Sequence, residues 1–152
     1  MSCESIKQLL DPQGTQVHCF SNSTVAEENK RKFVINKPAN LAVCKVKVDG
    51  CLISEQHIRK CDYLFEVATD PKEYLLVELK GSDLNGAVEQ LLSTYDRLAS
   101  QINARPEQFR AFVVSSVVPK SNSAFRTNQQ RLMKNRKLHL ERGSIQHHVH
   151  YK

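Results

Sequence analysis

Apolar residues recur along the chain with two different periods. Between residues 84 and 102 they return at alternating steps of four and three, which predicts an amphipathic helix. Its buried stripe would comprise Leu84, Val88, Leu91, Tyr95, Leu98 and Ile102. Three stretches before this helix, residues 41–48, 61–67 and 73–80, are rich in β-branched and aromatic residues and predict strands. The near-continuous apolar run at 109–118 predicts a fourth strand, buried on both faces.

Weaker patterns fill in the rest of the chain. Residues 5–10 predict a short helix, and residues 23–33 predict another, capped by Ser23 or Thr24. Asp49-Gly50 predicts a hairpin turn with residues 51–53 starting the return strand. A final helix at about 123–136 would bury Phe125, Leu132 and Met133, and residues 138–151 would form a closing hairpin. The whole is an α/β fold: a meander, then a strand–helix–strand unit, in one domain spanning residues 1–152.

Composition restricts the class of protein. With 152 residues, 40% hydrophobic and 25% charged, the chain suits one globular domain with its own core. It contains no apolar run of membrane-spanning length, and its first residues lack the apolar segment of a signal peptide. We therefore expect a cytoplasmic protein without a membrane partner.

The five cysteines are odd in number and include no CxxC pair. This predicts reduced thiols, several of them buried as small apolar groups. The alternative is a zinc site built from Cys44, Cys51, His57 and Cys61, although this spacing matches no familiar finger or ribbon.

Positive charge is concentrated at the C-terminus. Residues 120–152 hold eight Lys or Arg and one acid, a net of +7, while the other residues sum to −1. On the predicted final helix, Arg126, Lys134 and Lys137 would be exposed. A basic face on a near-neutral body fits a polyanion such as nucleic acid, and the alternative is an ordinary solvated helix face.

Acids and a lysine interrupt two of the apolar strands. Asp62 begins one strand, and Glu78 and Lys80 share one face of the next, because side chains alternate along a strand. Charges on buried strands are costly unless they pair, bind metal or do chemistry. Two carboxylates that hold a hard cation, with a lysine to stabilise phosphate charge, are what a metal-dependent phosphodiesterase needs.

The arrangement resembles the PD-(D/E)xK nuclease superfamily, whose restriction-endonuclease-like fold has an αβββαβ core with a mixed central sheet. The resemblance covers about residues 24–118 and implies that Asp62 and Glu78 are metal ligands and Lys80 the catalytic lysine. It also implies a further Glu on a helix before the meander, with Glu28 the best candidate and Glu27 next, and a glutamine on the following helix, Gln90. The C-terminal helix and hairpin would be additions to this core. The chain departs from the motif at Cys61, where the family's proline stands before the Asp.

The resemblance implies a Mg²⁺- or Mn²⁺-dependent nuclease, with DNA favoured over RNA as the partner. The alternative is a catalytically inactive nuclease-fold module that binds nucleic acid or protein in a larger defence complex, for example against phage, or in a repair complex. A bare domain of this size would gain specificity as a homodimer or within such a complex. Other polar residues receive structural interpretations: Asp49 as a turn residue, Glu66 and Glu73 as solvent-side strand charges, and His147, His148 and His150 as exposed hairpin residues.

Overall fold

A computed structural model describes residues 3–79, 83–115 and 123–152. Within these ranges the chain is α/β, with three α-helices and one mixed sheet. The helices are α1 (Glu4–Leu10), α2 (Leu84–Ile102) and α3 (Ser123–Arg136), with 3₁₀ turns at Val17–Cys19 and Pro106–Gln108. The strands are β1 (Phe20–Ser21), β2 (Val25–Glu28), β3 (Arg31–Asn36), β4 (Val43–Lys47), β5 (Tyr63–Val67), β6 (Glu73–Leu79), β7 (Phe109–Ser115), β8 (His139–Ser144) and β9 (Gln146–His150).

The sheet has the order β1-β4-β5-β6-β7-β8-β9-β3-β2. Strands β4, β5 and β6 form the antiparallel meander that the sequence predicts. Helix α2 then carries the chain to β7, and α3 carries it to β8, and both of these strands pair in parallel with the strand before them. The central unit is thus three antiparallel strands followed by two parallel crossovers, each containing a helix.

The sheet curls so that its two ends approach each other. β1 and β2 stand at opposite ends of the strand order although only three residues separate them in sequence. Across this gap the Nζ atom of Lys45 in β4 donates to the carbonyl of Val25 in β2 at 2.8 Å. Inside the curl, β3 packs on β6 and β7, and an apolar cluster forms around Phe33, Phe65 and Phe112.

The outer face of the sheet carries the helices and a second apolar core. In α2 the predicted stripe is confirmed at Val88, Leu91, Tyr95, Leu98 and Ile102, which are buried, while Leu84 packs at the edge of the core. Val113 of β7 lies in the same core, and Val117 lies outside the described residues. The side chain of Asp83 caps the helix by accepting from the N–H of Gly86 at 2.9 Å.

The final helix has the predicted bounds but a narrower buried face than the sequence indicates. Leu132 is buried and Phe125 is half-buried, whereas Met133 is 38% exposed. Asn128 takes the inward position instead, and its amide donates to Asn85 and to the carbonyl of Ala124, both at 2.9 Å. A satisfied polar residue thus occupies a place where an apolar one was expected.

The predicted helix at residues 23–33 is wrong. The segment is the hairpin β2–β3, and its turn residues Asn29 and Lys30 both have positive φ angles, 50° and 64°. Paired positive φ angles are typical of the tight turn that suits the twist of two antiparallel strands. β3 in turn pairs in parallel with β9, so the segment is held as a strand from both sides.

Two predicted hairpins also differ from the structure. After Asp49-Gly50 the chain makes a local turn and a single bridge between Asp49 and Ile53, so residues 51–53 do not return as a strand along β4. At the C-terminus β8 and β9 pair only at Ser144 and Gln146. β8 extends along β7, and β9 extends along β3. The chain therefore passes from one part of the sheet to another between Ser144 and Gln146, and the two strands do not form a regular hairpin.

The expectation of five reduced thiols is wrong. Cys3 is bonded to Cys44 and Cys19 to Cys51, and Cys61 is a buried free thiol. The zinc alternative is also wrong, because Cys44, Cys51, His57 and Cys61 do not bring their ligand atoms together among the described residues. In the part of the chain described here, none of the helices combines the length and the apolar character needed to span a membrane.

Candidate carboxylate site at the end of two strands

Asp62 and Glu78 are held against each other where β5 begins and β6 ends. The N–H of Asp62 donates to Oε1 of Glu78 at 3.1 Å, and the N–H of Leu79 donates to Oδ2 of Asp62 at 2.8 Å. One oxygen of each group is therefore fixed by the main chain, and the pair has a defined geometry. Against the effect of burial, interaction with the Glu78 side chain also acts to lower the pKa of Asp62.

The strand register explains why these two side chains meet. Tyr63 lies opposite Val77, so the next pair outward is Asp62 and Glu78. Alternation places Glu78 on the same face as Leu76, which belongs to the helix-side core, and Glu78 is only 2% exposed. Both carboxylates are thus on the helix side of the sheet, as expected for a shared site.

The electrostatics of the pair favour a proton or a cation between the two groups. Burial raises the pKa of Asp62, the N–H of Leu79 opposes this shift, and the negative charges of Glu28 and Asp49 add to it. Keeping both carboxylates ionised while they are in contact and partly desolvated costs free energy. A divalent cation is one way to neutralise them, and oxygen ligands of this kind suit Mg²⁺ or Mn²⁺.

Helix α2 fixes the chain just before Asp62. The hydroxyl of Thr94 accepts from the N–H of Cys61 at 2.7 Å and donates to the carbonyl of Gln90 at 2.9 Å. Burial, reinforced by the negative charges of Glu78 and Asp62, raises the pKa of the Cys61 thiol far above its ordinary value. Cys61 is therefore a neutral packing residue.

Glu28 lies beside this site, but on a strand and not on a helix. Its Oε1 accepts from the hydroxyl of Tyr63 at 3.1 Å and stands 3.7 Å from Nζ of Lys47. Burial together with the charge of Glu28 raises the pKa of Tyr63 to about 12. Burial raises the pKa of Asp62, and the negative charge of Glu28 raises it further. The ligand atoms of Glu28, Asp62 and Glu78 do not all lie within 4.8 Å of one another. Among the described residues, His18, Cys19 and Cys51 meet this criterion.

Two lysines, Lys45 and Lys47, lie near Glu28 on the inner face of the sheet. Lys45, besides its bond to Val25, lies 4.9 Å from the centre of the Tyr63 ring. Burial lowers the pKa of Lys45, the neighbouring charge of Lys47 lowers it further, and Glu28 opposes both. Glu28, Lys45 and Lys47 thus form a mixed-charge group on the inner face of the sheet, whereas Asp62 and Glu78 lie on its helix side.

Gln90 lines a cleft beside the Asp49 turn. The cleft holds about 220 Å³ and is also lined by Asp49, Gln56, His57, Ile58, Arg59 and Lys60. The N–H groups of Val48 and Asp49 donate to the carbonyl of Asp62 at 3.0 and 3.4 Å, so the Asp49 turn is attached directly to the site. Asp49 is therefore both a turn residue, as the sequence indicates, and a charge that acts on Asp62.

Lys80, the predicted catalytic lysine, lies outside the described residues. It follows Leu79, whose N–H binds Asp62, by one position in the chain. Val117 and Val118 at the end of the predicted fourth strand are likewise outside them.

The basic face of α3 is partly neutralised. Arg131 pairs with Glu89 at 2.6 Å, and Arg136 binds both oxygens of Asp96 at 2.8 and 3.0 Å. Arg126, Lys134 and Lys137 are exposed, as the helix pattern predicts. The helix therefore uses some of its cations to attach to α2 and presents others to solvent.

Two expectations about other polar residues need correction. Glu66 is 3% exposed and not a solvent-side charge, because it lies on the helix side of the central strand β5 and is covered there. Burial raises its pKa, and Lys72 at 3.7 Å opposes the shift. His147 is half-buried and stacks on Phe33, whereas His148 and His150 are exposed as expected.

Sequence reasoning did not identify several residues that shape the site. Thr94 and Tyr63 adjoin it through contacts that join elements far apart in the sequence. Thr94 could have been found as a polar residue next to the apolar stripe of α2, a position that requires a partner when buried. Comparisons of the chain with models of protein families, with curated proteins and with solved structures found no match.

Proposed function

We propose that the chain is a metal-dependent phosphodiesterase, a nuclease of the PD-(D/E)xK type. The observation that carries the proposal is the interlocked pair of Asp62 and Glu78, a buried carboxylate site built by main-chain hydrogen bonds at the ends of two central strands. An acid pair with only a structural role would cost more free energy here than well-packed apolar side chains, because the charges must be desolvated. The same residues make sense as a preformed cation site.

The order of elements supports the same proposal. Strands β4 to β6, helix α2 and strand β7 follow one another as three strands, a helix and a strand. The helix expected before them at residues 23–33 is the hairpin β2–β3, and α1 precedes that hairpin. This matches the βββαβ part of a restriction-endonuclease-like core, to which α1, β1–β3, α3, β8 and β9 would be additions. The acids stand on its second and third strands, as they do in that superfamily.

The residues receive distinct roles in this proposal. Asp62 and Glu78 hold the cation through their oxygens, helped by the carbonyl of Leu79. A bound Mg²⁺ or Mn²⁺ supplies Lewis acidity toward the phosphate and an acidified water. Lys80 neutralises charge that develops on the phosphate or orients the attacking water. Glu28 is not a ligand of the cation and acts through its negative charge. Gln90, which lies on α2, orients neighbouring groups.

The substrate class follows from the exposed cations. Arg126 and Lys134 on α3, with Lys137 just after it, give the chain sites for phosphate contacts that read no base sequence. DNA is the first substrate to test, with RNA as the second.

The deciding experiment is a cleavage assay on supercoiled, linear and single-stranded DNA and on RNA, with Mn²⁺, Mg²⁺ or a chelator. We expect cleavage only with metal, and losses on the order of 10²-fold or more in Asp62→Asn, Glu78→Gln and Lys80→Ala. Glu66→Gln is the matched control, because it also removes a buried carboxylate of raised pKa from β5, at the opposite end of the strand. It should cleave like the parent protein.

The alternative is an inactive nuclease-fold module that binds nucleic acid or protein. It takes over if metal leaves the parent protein inactive on all substrates while binding to DNA or RNA is retained. Cleavage that survives in Asp62→Asn would contradict the site itself.

A further inference from the structure

We propose that the disulfide between Cys19 and Cys51 is one state of a redox-controlled zinc site whose third ligand is His18. The site is separate from the carboxylates of Asp62 and Glu78 and does not depend on the proposed nuclease activity. In the oxidised chain it holds no metal, since neither sulfur is a thiolate. After reduction the same three residues would bind Zn²⁺.

Three ligand atoms already lie together. The imidazole of His18 and the sulfurs of Cys19 and Cys51 are all within 4.8 Å of one another. A tetrahedral zinc ion needs Zn–S distances of about 2.3 Å, hence a sulfur–sulfur separation of about 3.8 Å. After reduction, small rotations of the two cysteine side chains can bring the sulfurs to this separation. Water would fill the fourth position, as in other sites with three protein ligands.

The two thiols would stay together after reduction because other bonds hold their segments. The amide of Gln16 donates to the carbonyls of Cys51 and Leu52, both at 3.0 Å. Gln16 is itself fixed by Asp11, whose carboxylate accepts from the N–H of Gln16 at 3.0 Å and of Thr15 at 3.1 Å. The 3₁₀ turn Val17–Cys19 then presents His18 and Cys19 side by side.

The location allows exchange with solvent. His18 is exposed and Cys51 is half-buried, so both an attacking thiolate and a metal ion can reach the group. The other disulfide differs in this respect, since Cys3 and Cys44 are both buried. It provides an internal comparison within the same chain.

The chemistry balances with a dithiol as reductant. One thiolate of the dithiol attacks a sulfur of the disulfide, and its second thiol resolves the mixed disulfide, leaving two cysteine thiols and the oxidised dithiol. Binding of Zn²⁺ then releases two protons, one from each thiol. A low-molecular-weight disulfide reverses the change, since it takes up the two electrons as two thiols and frees the zinc.

The test uses the full chain, oxidised or reduced with a phosphine and then desalted without oxygen. Zinc affinity is measured by competition with a chromogenic chelator, and Co²⁺ serves as a probe of thiolate ligation through its charge-transfer absorption. We expect one Zn²⁺ per reduced chain and none per oxidised chain. His18→Ala should weaken zinc binding by more than about 100-fold, since even loss of an outer partner costs 10- to 100-fold.

Two controls assign the metal to this site. Cys19→Ser/Cys51→Ser should abolish zinc uptake, and Asp62→Asn/Glu78→Gln should leave it unchanged. The proposal is overturned if the reduced parent protein binds no zinc, if His18→Ala binds it as tightly as the parent, or if uptake persists without Cys19 and Cys51. Because His18 is exposed, its variant should keep the fold, which circular dichroism checks.

Discussion

The hydroxyl of Thr94 accepts a 2.7 Å hydrogen bond from the main-chain N–H of Cys61, and this bond ties helix α2 to the residue before Asp62. Both partners are buried, so water cannot replace either of them. The position of the acid pair thus depends on a side chain of a helix more than thirty residues further along the chain.

Thr94→Val should destabilise the fold and weaken metal binding together. Valine keeps the shape but leaves the N–H of Cys61 unpaired, which costs about 1–3 kcal/mol. Thr94→Ser is the control, because it keeps the hydroxyl. Urea unfolding and Mn²⁺ titration measure the two effects, and a Thr94→Val variant as stable as the serine variant would show that the bond contributes nothing.

Stability should fall as pH rises through the titration of Asp62. Burial raises the pKa of this carboxyl above its value in the unfolded chain, so the folded protein keeps the proton to higher pH. The retained proton therefore stabilises the folded protein below the ordinary carboxyl pKa, and this stabilisation is lost as pH rises through the raised pKa. Asp62→Asn should remove that loss and melt at a higher temperature than the parent near neutral pH.

Thermal melting from about pH 4 to about pH 8, with a chelator or with Mn²⁺, checks this sign. Mn²⁺ should raise the melting temperature of the parent protein above the carboxyl titration and leave Asp62→Asn unchanged. If the asparagine variant is less stable than the parent at neutral pH without metal, Asp62 is a structural acid and the cation-site interpretation loses its support.

Lys30→Gly should stabilise the protein or leave it unchanged. Lys30 has a φ of 64° in the β2–β3 turn, where glycine avoids a cost of about 1–2 kcal/mol. In the helix predicted from the sequence the same change would instead destabilise by about 1 kcal/mol. The sign of the change in urea unfolding thus distinguishes the hairpin from the helix, with Lys30→Val as the variant expected to lose stability.

This segment shows where sequence reasoning reaches its limit. Residues 84–102 were predicted well because the apolar period and the Asp83 cap are both local to the helix. For β3, the deciding contact is the parallel pairing with β9, more than one hundred residues away, which no local pattern contains. Asn29-Lys30 also lacks the glycine that commonly marks such a turn.

The candidate site divides in the same way. Asp62 and Glu78 could be selected because acids on apolar strands are unusual, and strand alternation gives their common face. The disulfides could not be derived, because they join cysteines 41 and 32 residues apart and spacing does not fix the pairing. Glu28 was selected for a helix that does not exist, yet it lies beside Tyr63 next to the site.

Leu91→Ala should destabilise the fold by about 2–5 kcal/mol, as is usual when a fully buried leucine is truncated. Leu91 is 0% exposed and lies in the core between α2 and the sheet. Met133→Ala is the control, since Met133 was expected to be buried and is exposed instead. Its loss in urea unfolding should be small, and equal losses for the two variants would contradict the buried face assigned to α2 or the exposure of Met133.

Reversing the charge of Arg126, Lys134 and Lys137 should separate nucleic-acid binding from chemistry. These residues are exposed, and none of them belongs to the carboxylate site. Each lost phosphate contact reduces the number of counterions released, so binding should weaken on all sequences and its dependence on salt should become less steep. Reversal at Lys30, Arg105 and Lys152, which are also exposed but lie neither in α3 nor directly after it, changes the net charge equally and is the matched control. Fluorescence anisotropy across a salt series measures both slopes. A control set that flattens the slope as much as the α3 set would mean that overall charge, and not this helix, attracts the nucleic acid.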